Sequence, residues 1–221
     1  MSRLFLVPTP IGNLEDITFR ALRILKEADV ILAEDTRTTR KLLNHYNIKT
    51  RLEAHHIFNE HRNASSIAER IEAGEKIALV SDAGTPSISD PGYLLVNACL
   101  AKGIPVECLP GPTALIPALV TSGFPSDRFS FEGFIPHKKG RRTRIEELTR
   151  ETRTIIIYES PHRIERTLQD LQVLGKNRRC TVTREISKIH EETIRGTLEQ
   201  LLEHFRSTVP RGEIVIVISA D

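Results

Sequence analysis

The sequence predicts an α/β protein of two α/β domains, residues 1–117 and 118–221, and three observations lead there. In the first half, short apolar runs alternate with amphipathic stretches, the pattern of a parallel sheet with helices on its faces. In the second half, some apolar runs follow one another with no helix between them, which predicts a mixed sheet. Finally, three strands of the first half run directly into turns rich in proline, glycine and hydroxyl residues.

The elements follow in order. LFLV (4–7) reads as a strand. TFRALRILKEA (18–28) has apolar residues at helical spacing, with Thr18 placed to cap it. VILAE (30–34) is a strand and TRTTRKLLNHY (36–46) a helix. ASSIAERIEA (64–73) is a helix ended by Gly74. KIALVS (76–81) is a buried strand. PGYLLVNACLAK (91–102) is a helix with Pro91 in its first turn and Gly103 at its end. IPVECLP (104–110) is a strand. Further strands are RFSFEGF (128–134), TRTIIIYE (152–159), CTVTRE (180–185), ETIRG (192–196) and EIVIVI (213–218). Helices fill 141–150, 161–174 and 197–206.

Composition bounds the class. Of 221 residues, 39% are hydrophobic and 27% charged, as in ordinary globular proteins. Cys99, Cys108 and Cys180 show no C-x-x-C spacing, which speaks against a zinc site or disulfide framework and suits a reducing compartment. MSRLFLVPTP lacks the apolar core of a signal peptide, and no apolar run reaches membrane-spanning length. A cytoplasmic location with no membrane partner is the expectation. Net charge is only +2, so a nucleic-acid partner must be held by a local patch.

The turns carry the first functional signal. LFLV runs into PTPIGN (8–13), IALV into SDAGTPSISDPG (81–92), and PVEC into LPGPTA (109–114). In open parallel sheets, ligands collect at the carboxyl ends of strands. Gly and Pro there set unusual backbone angles and let a ligand approach main-chain groups. Neither GxxxxGK[ST] nor a GxGxxG after the first strand is present, so a P-loop or standard dinucleotide site is not indicated. The turns are poor in Lys and Arg, which a triphosphate would want. A ligand with its own positive charge and no phosphate fits better, and S-adenosylmethionine meets that description.

VPTPIGNLEDIT, AEDTR, LVSDAGTPSISDPG, PGPTALIPAL, YESPHRI, TREISKIHEE and RGEIVIVI resemble, in order, the signature blocks of the tetrapyrrole (corrin/porphyrin) methylase superfamily. Within it they resemble the ribosomal small-subunit RNA (cytidine-2′-O-)-methyltransferase family, from about residue 4 to about 218. The resemblance implies a class III methyltransferase with its cofactor in the cleft between two α/β domains, working as a homodimer. It implies cofactor contacts at Pro10, Ala83, Gly84, Thr85, Ile88, Thr113, Ala114, Tyr158 and Gly196. Many members of that family continue for several dozen residues past the EIVIVI strand. This sequence stops at Asp221, so RNA contacts made by such a tail are not expected of it.

The implied chemistry is methyl transfer to a ribose hydroxyl of 16S ribosomal RNA, free or in the 30S subunit. A hydroxyl is a weak nucleophile and gains from a base. Candidates are Asp35, Glu60, His61, Asp82, Lys188 and Glu191, each with a competing structural role as cap, surface charge or ion pair. Asp35, Glu60 and Lys188 head that group. HHIFNEH (55–61) gathers three His, but the reaction needs no metal and none is expected. Lys138, Lys139, Arg141, Arg142 and Arg144 form a candidate patch for the RNA backbone, with Arg37, Arg40 and Lys41 as a second. Two alternatives stay open: a methylase of a tetrapyrrole small molecule, and a non-catalytic ribosome-assembly factor.

Overall fold

The computed structural model describes residues 2–208 and 210–220, which separate into two units, Met1–Thr113 and Ala114–Asp221. The break precedes helix α5 (Leu115–Ser122), whose Leu115, Ala118 and Leu119 pack on strands of the second unit. Residues 114–117, read from the sequence as part of the first half, therefore group with the second.

The first unit holds β1 (Leu4–Leu6), β2 (Val30–Ala33), β3 (Arg51–Ala54), β4 (Ile77–Leu79) and β5 (Val106–Cys108). They form one parallel sheet in the order β3-β2-β4-β1-β5. Alternation along each strand sends side chains to opposite faces. On one face Leu4, Val30, Leu32, Ile77 and Leu79 pack against α3 (Ile57–Glu72) and α4 (Tyr93–Ala101). On the other, Ile31, Ala33, Ala78 and Val80 meet α1 (Phe19–Glu27) and α2 (Thr36–His45). Burying each such Leu or Ile contributes about 1.5–3 kcal/mol, so the two faces together fix the register. Thr18 caps α1 as its position predicts, its hydroxyl accepting from the Ala21 N–H at 3.0 Å.

This order has a consequence for ligands. β1 and β4 are neighbours. The chain leaving β1 passes through α1 on one face to reach β2, and the chain leaving β4 passes through α4 on the other to reach β5. The connections diverge there, and a crevice opens outside the carboxyl ends of the two strands.

The second unit has β6 (Phe129–Phe134), β7 (Thr154–Glu159), β8 (Arg179–Arg184), β9 (Glu192–Thr197) and β10 (Ile214–Ile218), in the order β6-β7-β10-β8-β9. β6 and β7 are parallel and the other neighbours antiparallel, the mixed sheet that helix-free connections predict. Helices α6 (Arg141–Leu148), α7 (Ile164–Leu171) and α8 (Leu198–Ser207) cover the face of Ile155, Ile157 and Ile216, and α5 covers Ile156 and Val217.

Three local expectations change. β3 was not read from the sequence, because RLEA is polar and little buried on the sheet edge. α3 starts at Ile57 rather than Ala64, since its first turn points Ile57 and Phe58 outward, away from any core periodicity. Pro91 lies before α4 rather than in its first turn, because Gly92 is the capping residue. No helix among the described residues is long and apolar enough to cross a membrane.

Candidate active site

Three turns meet at the crevice of the first unit. Thr9, just past β1, and Gly84, just past β4, exchange both backbone hydrogen bonds at 2.9 Å. The Thr9 hydroxyl donates to the Ser81 carbonyl at 3.1 Å, and the Ser81 hydroxyl donates back to the Gly84 carbonyl at 3.2 Å. The Thr85 hydroxyl donates to the Pro112 carbonyl at 2.9 Å, tying in the turn after β5. Thr9 and Ser81 are buried, so these hydrogen bonds fix the loops firmly.

Glycine is required at two points of this cradle. Gly84 has φ of 84°, which strains any side chain, although a Cβ there would make only ordinary contacts with Ile11 Cγ2 at 3.4 Å and the Pro112 carbonyl at 3.7 Å. A Cβ on Gly111 would stand 2.6 Å from Pro8 Cβ. Beyond Gly84 the loop holds Ser87 and Ser89 at φ of 70° and 63°, a conformation that costs about 1–3 kcal/mol per non-glycine residue and clusters at ligand sites.

Of the predicted cofactor residues, Pro10, Ala83, Gly84, Thr85, Ile88 and Thr113 lie in these three turns. Ala114, Tyr158 and Gly196 belong to the second unit. There the Tyr158 hydroxyl accepts the Leu115 N–H at 3.1 Å, and Gly196 sits opposite Cys180 on the edge strand β9. The turns at 8–13, 81–92 and 109–113 carry no Lys or Arg. A cationic sulfonium ligand bound through main-chain groups fits such a lining, and a polyphosphate does not.

Titratable groups line the same sheet edge. Glu34 and Asp35 end β2, and Asp82 follows β4. Asp35 caps α2, accepting the Arg37 N–H at 2.8 Å and pairing with the Arg37 guanidinium at 2.7 Å. The Arg37 side-chain hydrogen bonds, joined by the backbone ones, hold Asp35 down to about 2. Asp82 Oδ1 accepts the Asp35 N–H at 3.1 Å. Desolvation lifts the Asp82 pKa, Asp35 adds to the rise, and the Asp35 N–H and Arg37 oppose it. Glu34 is raised as well, by burial first and then by Asp82. The sequence reading passed over Glu34, although its place beside Asp35 at a strand end was a signal.

The other base candidates have structural tasks. Glu60 is buried, and its Oε1 accepts the N–H groups of Gly92, Leu94 and Leu95 at 2.9, 2.9 and 3.4 Å. It caps α4 from a neighbouring helix. Lys188 bridges Glu185 at 2.8 Å and Glu213 at 2.9 Å. Partial burial works against its charge, but these two carboxylates outweigh it and the pKa rises, so Lys188 stays protonated. Glu191 accepts the Ser187 N–H at 2.7 Å. His61 is exposed, whereas His55 is fully buried and 3.8 Å from Glu60, with its pKa lowered by desolvation. Among the described residues, no three His, Cys, Asp or Glu side chains are placed to share a metal ion. The three cysteines are free.

The basic patch divides. Arg141 is 4% exposed, pairs with Asp170 at 2.7 Å and donates to the Thr167 hydroxyl at 2.9 Å, which takes it out of any RNA-facing surface. Arg144 pairs with Glu132 and Glu147, and Arg37 is engaged by Asp35. Arg142 is exposed and pairs with Glu146 along α6. Lys138 and Lys139 are exposed in the loop before α6.

A parallel sheet whose switch point carries a tightly tied, cation-free cradle defines an α/β protein that binds a ligand without phosphates there. Residues 3–202 match the model of the Tetrapyrrole (Corrin/Porphyrin) Methylases, and the chain belongs to that family. S-adenosylmethionine is therefore its cofactor. Two relatives bear the name Ribosomal RNA small subunit methyltransferase I. That of Thermotoga maritima is 47% identical over 219 residues, covering 99% of both chains. That of a Synechocystis strain is 50% identical over 221 residues, covering 99% of this chain and 79% of the relative. Among solved structures, diphthine synthase aligns with a TM-score of 0.75 at 14% identity, over 99% of this chain and 90% of that one. Cobalt precorrin-4 methyltransferase aligns at 0.71 and 16% identity, over 99% and 95%. The uroporphyrin-III C-methyl transferase of Thermus thermophilus, in complex with S-adenosyl homocysteine, aligns at 0.66 and 22% identity, over 98% and 97%. At these identities the solved structures establish the fold.

Proposed function

We propose that this chain methylates the 2′-hydroxyl of a cytidine in 16S ribosomal RNA, in the cytoplasm and as a homodimer. The observation that carries the reading is the near-full-length likeness, at 47% and 50% identity, to relatives named for small-subunit ribosomal RNA methylation. The 2′-hydroxyl exists only in RNA, so the acceptor itself discriminates against DNA. Exposed Ile57, Phe58 and Tyr93 at the starts of α3 and α4 supply apolar surface for a second copy.

Bound S-adenosylmethionine supplies a methyl group already activated on a sulfonium. The work left to the chain is to bind, orient and deprotonate. The cradle of Pro10, Ala83, Gly84, Thr85, Ile88 and Thr113 holds the cofactor through fixed backbone, and the family resemblance adds Ala114, Tyr158 and Gly196. Fixed loops lower the entropy cost of alignment, which is where an activated donor leaves most to gain. Of the base candidates, Asp82 suits the task best. It follows β4 directly, shares the edge with the cradle, and its raised pKa makes it a better proton acceptor than Asp35. Lys138, Lys139 and Arg142 meet the RNA backbone.

The test is to incubate the protein with tritiated S-adenosylmethionine and 30S subunits from a strain lacking the enzyme, then digest the RNA to nucleosides. Label in 2′-O-methylcytidine supports the reading. Label in another nucleoside moves the acceptor. Binding of RNA and cofactor without transfer favours an assembly factor, and a visible absorbance change with added tetrapyrrole favours a small-molecule methylase.

A further inference from the structure

The end of β6 carries a feature outside the three turns of the cofactor cradle, packed on Tyr158, the residue that the family resemblance assigns to the cofactor. In a regular strand, residues three apart point to opposite faces. Here the pairing of β6 with β7 shifts register between Phe131 and Phe134, and Gly133 takes φ of 58°. The shift brings both rings against Tyr158, edge-on at centroid distances of 4.9 and 5.8 Å. Phe131 is half-buried, but Phe134 stays 51% exposed. Bulges of this kind re-aim side chains beside active sites.

A cation completes the arrangement. The Arg163 guanidinium stands 6.0 Å from the centre of the Phe134 ring. It is held by Glu159 at 2.6 Å, whose side chain is fully buried, and by the Ile135 carbonyl at 3.2 Å. The guanidinium is thus fixed in place. Shortly downstream, Lys138 and Lys139 are exposed and make no ion pair among the described residues.

The geometry points to Phe134 and Arg163 as a stacking platform for an unpaired base of single-stranded RNA, with Lys138 and Lys139 on the adjoining phosphates. Single-stranded RNA is recognised by stacking splayed bases on aromatic rings and guanidinium planes, with basic groups tracking the backbone. The inference rests on the RNA reading above and names the surface that meets the nucleotide. A methylated ribose must be exposed, and a stacked base would hold that nucleotide extruded.

The experiment measures the affinity of fluorescein-labelled oligocytidylate at low salt for the full chain and for Phe134→Ala, Phe134→Leu and Phe134→Trp. S-adenosylhomocysteine affinity is measured by calorimetry on each, and methyl transfer to 16S ribosomal RNA on the unsubstituted protein. Stacking predicts that Ala and Leu each weaken RNA binding about tenfold or more, that Trp retains it, and that cofactor affinity stays within about twofold. Unchanged RNA binding in the Ala variant, or full binding in the Leu variant, overturns the platform. So does an equal loss of cofactor affinity, which would make the ring part of the cofactor pocket. If the unsubstituted protein binds oligocytidylate but transfers no methyl group to ribosomal RNA, the function reading fails while the platform stands. If it binds no oligocytidylate, the platform fails on its own.

Discussion

Replacing Glu60 separates a cap from a base. Its Oε1 accepts three N–H groups at the start of α4, two of them on the buried residues Gly92 and Leu95. Glu60→Ala leaves those two without a partner, at about 1–3 kcal/mol each, so the first unit should lose about 2–6 kcal/mol. Glu60→Gln keeps a carbonyl oxygen at the same reach and loses only the charge. A weaker hydrogen bond and a lost favourable interaction with the α4 dipole should cost about 1 kcal/mol. Equilibrium urea unfolding followed by circular dichroism measures both variants, beside kcat for methyl transfer. The expected result is a stable Gln variant with kcat within a few-fold of the parent and a strongly destabilised Ala variant. A Gln variant as stable as the parent whose kcat falls by about a hundredfold or more would refute the capping argument and restore Glu60 as a base.

Four more outcomes follow from the same geometry. Gly84→Val places a β-branched residue at a φ of 84°, where side chains are strained, and should abolish S-adenosylmethionine binding by calorimetry. Asp82→Asn should lower kcat by about 10²–10⁴-fold with unchanged cofactor affinity. Because the Asp82 pKa is raised, the parent's kcat should fall on acidification at a pH above the usual aspartate value of 3.8, and the Asn variant should lose that limb. Arg141→Ala should destabilise the second unit by about 1–2 kcal/mol, since the buried Thr167 hydroxyl loses a donor while keeping Glu159 and the partly exposed Asp170 is rehydrated, whereas Lys138→Ala with Lys139→Ala should leave stability intact and weaken RNA binding in a salt-dependent way.

Much of the architecture was legible because core strands such as IVIVI and VILA are buried along their length and carry the apolar signal themselves. The cradle was legible because Gly and Pro mark turns by their own backbone limits, at Gly84 and Gly111 above all. What escaped depends on partners distant in sequence. Nothing within HHIFNEH says that Glu60 reaches the N-terminus of α4, and nothing within HKKGRRTR says that Arg141 turns inward to Asp170 while Lys138 and Lys139 face out. The edge strand RLEA lacks any apolar alternation to betray it. Glu34 gains its raised pKa from burial and from Asp82 in the turn after another strand, so its chemistry exists only in the folded sheet.

The carboxyl edge of the parallel sheet is expected to hold the cofactor through its backbone. The most direct measurement is a crystal structure of the protein with S-adenosylhomocysteine. Ligand density is expected against the turns at 8–13, 81–92 and 109–113, with main-chain groups of residues 83–85 in hydrogen-bond range. Density elsewhere on the molecule, or a ligand held chiefly by charged side chains, would contradict it.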